Sequence, residues 1–190
     1  MNRITIPSGL ATAILALAAI AITAPVASAK VYHSRESALK LAFGDEVAVE
    51  SRELFLSKAE QVEASRLAGS EITSRLVRHY EGRRGEVVTG YVYFETHRVR
   101  SLPETLMIVV SPQGAVASVH VLAFHEPEVY LPHQRFLQQF AGSELGAELS
   151  LRSGIQGIAG STFTANAVTA AVRRVLAVHD VMARSSTESR

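Results

Sequence analysis

The feature that most constrains the fold is a run of β-forming residues in the middle of the chain. Residues 87–99 are rich in β-branched and aromatic side chains, residues 106–110 are continuously apolar, and residues 115–124 are again rich in valine. Such segments are typical of strands. The sequence Ser111-Pro112-Gln113-Gly114, between the last two, has proline and glycine where a tight turn favours them. Because the connections are short, these segments predict an antiparallel meander.

Helix signals lie on both sides of this β region, at residues 34–43, 57–67, 131–140 and 164–182. In the second segment Ser57 and Glu60 form a capping-box pattern, in which each side chain bonds the other residue's backbone N–H. The last segment carries a stripe of valine and alanine at helical spacing. Residues 72–80 fit neither period cleanly, and we interpret them as a strand. The sequence therefore predicts an α+β protein, an antiparallel sheet with packed helices and a C-terminal helix.

The composition argues against several functional classes. The chain has no cysteine, which removes disulfides, thiolate nucleophiles and iron–sulfur clusters. Lys plus Arg number 19 against 18 for Asp plus Glu, so the broad basic face of a nucleic-acid-binding protein is not expected. No Ser-His-Asp order or pair of carboxylates indicates a hydrolase. We assign no catalytic residue; whether the protein is an enzyme stays open, and the absence of independent turnover is favoured.

The first 29 residues have the pattern of an export signal. Arg3 precedes an apolar run, and Ala27-Ser28-Ala29 places small residues at the two positions read by a signal peptidase. The pattern predicts cleavage after Ala29, a folded domain over residues 30–184 and a polar tail over residues 185–190. It also predicts an exported, periplasmic protein, either free or associated with the membrane. An uncleaved N-terminal anchor is the alternative.

A glycine- and hydroxyl-rich segment, residues 153–164, leads into the last predicted helix. The free backbone N–H groups at the start of a helix, together with the helix dipole, can hold a phosphate. Serine and threonine before a helix also serve as ordinary N-caps. The composition of this segment alone leaves both interpretations open.

The order of residues in this segment resembles the end of the FMN-binding domain family. The matching stretch is Gly157-Ile158-Ala159-Gly160-Ser161-Thr162-Phe163-Thr164, followed by Ala167-Val168 and the helix. That family includes the periplasmic flavin-bearing subunits of the Rnf and sodium-translocating NADH:quinone reductase complexes. The resemblance implies that Thr162 receives FMN through a phosphoester, from a flavin transferase that uses FAD. It also implies that the C-terminal helix follows a glycine-, serine- and threonine-rich flavin-attachment turn. The protein would then be an exported electron carrier that works with a membrane or periplasmic redox partner.

The residues that the resemblance assigns to FMN lie in two places, the turn and the end of the last predicted strand. They are Gly160, Ser161, Thr162, Thr164, His125 and Glu126. The sequence departs from the family's motif where Gln156 replaces an Asp, Ala159 a Ser or Thr, and Ser161 an Ala. These departures keep a second hypothesis open, a cofactor-free secreted binding module that retains the fold.

Two further groups of residues have a structural and a functional interpretation. The aromatic residues of the central strand could stack on the flavin, but aromatic residues on strands more often pack in the core; they are Tyr91, Tyr93 and Phe94. Three histidines are close in sequence, but their spacing matches no known ligand pattern, so no metal is expected; they are His120, His125 and His133.

Overall fold

A computed structural model describes residues 30–188, with side chains through residue 186, so the predicted export signal lies outside the described residues. The strands are β1 Lys30–Val31, β2 Ala48–Phe55, β3 Leu76–Arg84, β4 Val87–Arg98, β5 Pro103–Val110 and β6 Val116–Phe124. The helices are α1 Arg35–Phe43, α2 Lys58–Ala68, α3 Gln134–Leu137 and α4 Thr162–Glu188. Short 3-10 turns cover Glu128–Tyr130 and Gln138–Phe140.

The six strands form one antiparallel sheet in the order β1-β6-β5-β4-β3-β2. From β2 to β6 each strand pairs with the next one in sequence, and β1 closes the far edge against β6. The predicted α+β class, the antiparallel meander and the C-terminal helix are therefore confirmed. None of the helices in the described part of the chain is both long and apolar enough to span a membrane.

The two faces of the sheet bury two separate apolar cores. On one face, the buried stripe of α4 packs on inward-facing residues such as Tyr93, Leu106 and Ile108. On the other face, α1 covers Val92 and Met107. Alternate residues of β4 and β5 thus point to opposite cores, as the two-residue period of a strand requires.

The helix ends follow the predicted capping signals for α1 and α2. The Ser57 hydroxyl accepts from the Glu60 N–H at 3.2 Å, and the Glu60 carboxylate accepts from the Ser57 N–H at 2.7 Å. The Ser34 hydroxyl likewise accepts from the Ser37 N–H at 3.2 Å. The capping-box prediction for α2 is confirmed, and Ser34 caps the predicted first helix.

Three element boundaries differ from the predictions. Instead of one helix over residues 131–140, the chain forms the short α3 and a 3-10 turn, because Leu131 before Pro132 is extended and the helix begins only after His133. The strand expected over residues 72–80 runs from Leu76 to Arg84. The last helix begins at Thr162 rather than at residue 164 and continues past residue 182 to Glu188.

Candidate functional site

The glycine-rich segment forms an exposed turn with a fixed backbone. The Ile155 side chain is buried in the core below the turn. The side chain of Gln139 bonds the backbone of Gln156 twice: its oxygen accepts from the Gln156 N–H at 2.8 Å, and its nitrogen donates to the Gln156 carbonyl at 3.1 Å. Gly160 adopts φ 76°, a left-handed conformation that favours glycine. The turn therefore holds one shape while residues 156–157 and 159–160 stay open to solvent.

Thr162 is the first residue of α4, and it is exposed. The first i to i+4 bond of the helix runs from the Ala165 N–H to the Ser161 carbonyl, at 3.0 Å. Within residues 30–188 no side chain accepts from the N–H groups of Thr162, Phe163 or Thr164, in contrast to the starts of α1 and α2. The first turn of α4 therefore presents free N–H donors beside the Thr162 hydroxyl, an arrangement that suits an anion.

A cation lies next to this turn. The guanidinium carbon of Arg100 is 5.1 Å from the centre of the Phe163 ring and 5.2 Å from the centre of the Tyr130 ring. Among the described residues we find no carboxylate in ion-pair distance of Arg100. Its charge is stabilised by the two aromatic rings but not neutralised. The segment around Thr162 therefore combines free N–H donors with an uncompensated positive charge.

The backbone that carries Arg100 is fixed by Glu126. One carboxylate oxygen of Glu126 accepts from the N–H groups of Arg100, Ser101 and Leu102, at 3.2, 2.8 and 2.8 Å. Burial opposes ionisation of this carboxyl, but the backbone donors outweigh it and lower its pKa. Glu126 therefore acts on the site indirectly, by fixing the loop from which the Arg100 side chain extends.

The remaining predicted site residues have other bonding partners. Thr164 is buried, and its hydroxyl donates to the Tyr130 carbonyl at 2.8 Å, which ties α4 to the segment after β6. The His125 imidazole bonds the Pro103 carbonyl at 3.0 Å, at the start of β5. Ser161 is buried directly before the helix. The structure thus places Gly160, Ser161 and Thr162 in one turn and links Glu126 to that turn through Arg100. His125 instead bonds the start of β5.

A buried polar pair that the sequence analysis did not single out lies at the same end of the sheet. His97 on β4 faces Glu104 on β5, with 3.1 Å between Nε2 and Oε2. Glu104 is fully buried, and burial raises its pKa against the opposing bond to His97. His97 Nδ1 and Glu104 Oε1 are buried without any hydrogen-bond partner. A buried polar group without a partner costs about 1–3 kcal/mol, so two at one place require a physical explanation.

His97 also lines a groove along the first turns of α4, which we call the α4 groove. Its volume is about 320 Å³. It is lined by His97, Arg98, Val99, Phe163, Asn166, Ala167, Ala170 and Arg174. A larger pocket of about 430 Å³ lies further along α4, towards Val175 and Val178, and shares Arg174 with the groove. Of the two, the α4 groove includes Phe163, the neighbour of Thr162.

The aromatic residues of β4 pack as core. The Tyr93 hydroxyl is hydrogen-bonded to His179 Nδ1 on α4 at 2.8 Å. The Tyr93 ring stacks on His79 with 5.6 Å between ring centres. Tyr91 contacts His179 edge-on, and Phe94 lies on the opposite face of the sheet. These contacts account for the aromatic residues without a flavin.

The three histidines noted in the sequence do not form one cluster. His120 and His133 line a pocket of about 300 Å³ together with His33, whereas His125 bonds β5. His133 Nδ1 accepts from the Phe136 N–H and so caps α3. In the part of the chain that the structure describes, no group of His, Asp and Glu side chains is arranged to hold a metal ion.

Sequence reasoning missed Arg100, Phe163, His97 and Glu104 as site residues. For the last two, a signal was present: His97 and Glu104 occupy positions that continue the inward faces of β4 and β5. Charged residues are rarely found at inward strand positions, so such a residue in the sequence indicates a candidate site. Arg100 gave no signal, because only the folded chain places it beside residue 163.

Comparisons with known proteins add no assignment: no protein-family model and no curated protein matches this chain.

Proposed function

We propose that this protein carries FMN as a phosphoester on Thr162 and serves as an exported electron-transfer carrier. The observation that carries the proposal is the exposed Thr162 hydroxyl at the uncapped first turn of α4, in a segment that resembles the attachment motif of the FMN-binding domain family. When bound, FMN supplies the electron-accepting ring; the protein has to hold and orient it.

The residues around Thr162 fit a phosphodiester. The free N–H groups of Thr162, Phe163 and Thr164 are donors that a phosphate at the start of the helix would accept from. Arg100, whose guanidinium lies over two aromatic rings, adds a charge that can bond phosphate oxygens. Fixing of residues 100–102 by Glu126 keeps this cation close to the turn.

The attachment reaction requires access to Thr162. A flavin transferase would move FMN from FAD to the Thr162 oxygen: the new bond joins that oxygen to phosphorus, the pyrophosphate bond breaks, and AMP leaves. The hydroxyl proton passes to a base of the transferase, because a threonine hydroxyl is a weak nucleophile without one. Exposure of residues 156–157, 159–160 and 162–163 gives such an enzyme an open surface to bind.

Co-expression with a flavin transferase tests the proposal. We expect in-gel flavin fluorescence after denaturation and a tryptic peptide containing Thr162 that is heavier by one FMN less water. Thr162→Ala should lose both signals completely, because the hydroxyl is the only covalent attachment point. Ser161→Ala is the matched control and should keep them. An unmodified peptide from wild-type protein would contradict covalent attachment.

A cofactor-free binding module is the second candidate, and Gln156 favours it. Its side chain is exposed where the resembling family has an Asp that a transferase could read. Gln156→Asp should raise the flavin-loaded fraction if poor recognition limits attachment. If neither wild type nor Gln156→Asp acquires flavin beside an active transferase, the cofactor-free module becomes the better account.

A further inference from the structure

We infer that strand β2 is the contact surface between two copies of this protein, which pair edge to edge and antiparallel about a two-fold axis at Ser51. The inference does not depend on the attachment of a flavin. It assigns a partner to the long open edge of the sheet.

The two edges of the sheet differ in how they are covered. At one edge, β1 pairs with the end of β6, and the Val116 backbone exchanges hydrogen bonds with residues 142 and 143. At the other edge, every residue of β2 is exposed. Natural edge strands are often short, or are interrupted by proline or a bulge, because their free backbone groups attract other strands. β2 contains neither proline nor glycine, and its register with β3 is unbroken, so it is open to a further strand.

The backbone of β2 turns its odd-numbered residues towards the free edge. The Leu56 N–H donates to the Arg75 carbonyl at 2.8 Å, one step beyond the last residue pair of β2 and β3. In an antiparallel ladder, every second residue bonds the same neighbouring strand. The even-numbered residues of β2 therefore bond β3, and the odd-numbered ones point their N–H and C=O groups outward. Within residues 30–188, no group is hydrogen-bonded to these outward backbone atoms.

This backbone pattern limits how two β2 strands can pair. Odd-numbered residues must lie opposite odd-numbered ones, so the two-fold axis passes through a residue, and an axis near the middle of β2 gives the longest overlap. An axis at Glu50 places two carboxylates opposite each other, and an axis at Arg52 places two guanidinium groups opposite each other, which is destabilising. An axis at Ser51 instead places Glu50 opposite Arg52 of the second copy, on both sides of the axis. The charges of β2 therefore favour the register centred on Ser51.

The side chains around this axis are complementary in two further ways. Ala48 lies opposite Leu54 of the second copy, so pairing covers an exposed leucine. Within one copy, Glu50 lies opposite Glu81 on β3, and Arg52 contacts both carboxylates. Arg52 of the second copy adds a cation on the free side of Glu50, so the pairing also reduces repulsion between two like charges.

The segment before Lys30 is a less suitable occupant of this edge. The described chain begins in β1, which lies at the opposite side of the six-stranded sheet from β2. Neighbouring strands are about 4.8 Å apart, so roughly 24 Å separates the two edges. Cleavage after Ala29, which the sequence predicts, would remove the segment altogether. A second copy needs no such crossing, because it brings its own β2.

Sedimentation equilibrium of the full chain provides the first test. Pairing through a single strand buries less area than a standard interface, so weak association is expected. We expect a reversible monomer–dimer equilibrium between about 1 µM and 1 mM. A protein that stays monomeric over this whole range overturns the inference, whether residues 1–29 or only solvent cover the edge.

Charge reversal tests the register. Glu50→Lys places two cations opposite each other, and Arg52→Glu places two carboxylates, so each variant alone should associate about tenfold more weakly or less. An equimolar mixture of the two variants should recover a heterodimer, because both pairs across the interface then have opposite charges. Glu71→Lys, an exposed reversal outside β2, is the matched control and should associate like wild type. Unchanged association of Glu50→Lys, or a mixture that stays monomeric, overturns the pairing.

Single thiols measure the same register, because the chain contains no cysteine. Ser51→Cys brings two thiols directly opposite each other at the axis, and a short bifunctional thiol reagent should join them. Val49→Cys, on the same face of the strand, is the matched control, since its two thiols lie four residues apart along the strands, about 14 Å. It should stay unlinked. Equal cross-linking of the two variants, or none for Ser51→Cys, contradicts an axis at Ser51.

Discussion

Two buried carboxyl groups, Glu126 and Glu104, lie at the same end of the sheet and differ in how the protein accommodates their charge. Glu126 accepts three backbone N–H groups, and these donors hold its pKa below the ordinary value despite burial. Glu104 has one bonded oxygen and one without a partner, and burial raises its pKa. Burial alone therefore does not decide the charge of a carboxyl group; the number of donors that reach it does.

The two carboxyl groups differ in how completely they are hydrogen-bonded. Glu126 was predicted to line the flavin, yet its bonds hold the loop of Arg100 in place. Glu104 attracted no attention in the sequence, yet it is the group whose bonding is incomplete. Fully bonded polar groups stabilise a fold, whereas a buried group left without a partner requires a physical explanation.

The largest expected effect comes from removing Glu126. Glu126→Ala should lower the free energy of unfolding by about 2–4 kcal/mol, because three N–H groups lose a charged acceptor. Glu126→Gln keeps an acceptor oxygen and should lose roughly half as much. Urea denaturation at neutral pH measures both, and a loss below about 0.5 kcal/mol for Glu126→Ala would remove the distinction between the two carboxyl groups.

The lowered pKa of Glu126 fixes the direction in which its contribution to stability changes with pH. Because its folded pKa is lowered, its contribution is fully present above the ordinary carboxyl pKa. That contribution is lost as the pH falls through the lowered folded pKa. Denaturation curves of wild type and Glu126→Gln should therefore converge in acid.

The contribution of Glu104 to stability should change with pH in the opposite direction. Because its folded pKa is raised, the folded state holds this proton more tightly than the unfolded state does. Its contribution to stability therefore decreases as the pH rises from the ordinary carboxyl pKa through the raised folded value, and is constant above it. Glu104→Gln should remove this decrease. If the difference between variant and wild type does not change with pH, Glu104 has an ordinary pKa.

The smallest effect on stability is expected for Arg100→Ala. The side chain is exposed and contacts two rings, so its removal should cost about 0.5–1 kcal/mol. The fraction of protein loaded with flavin should nevertheless fall, since a phosphate partner is lost. Arg84→Ala, which removes an exposed arginine at the end of β3, is the control for both measurements. Unchanged loading in Arg100→Ala would leave this arginine without a role at the site.

Local signals explain which elements could be predicted. The capping box of Ser57 and Glu60 forms as expected, because its donors and acceptors lie within one turn of chain. Strand β2 gave no such signal: all its residues are exposed, and it is a strand through its pairing with β3. An exposed edge strand has no buried face, so it leaves no apolar alternation to detect.

The sequence by itself determined the central meander, the caps of α1 and α2, and the presence of a C-terminal helix, whose start at Thr162 only the structure shows. These features depend on residues that are neighbours along the chain or on a repeating pattern. Only the tertiary structure decided that Glu126 clamps the Arg100 loop, that Arg100 lies beside Phe163, and that His97 and Glu104 share a buried bond next to the α4 groove. Such contacts join residues that are distant in sequence or brought together by strand register, and their energies depend on burial that exists only once the sheet and α4 have packed.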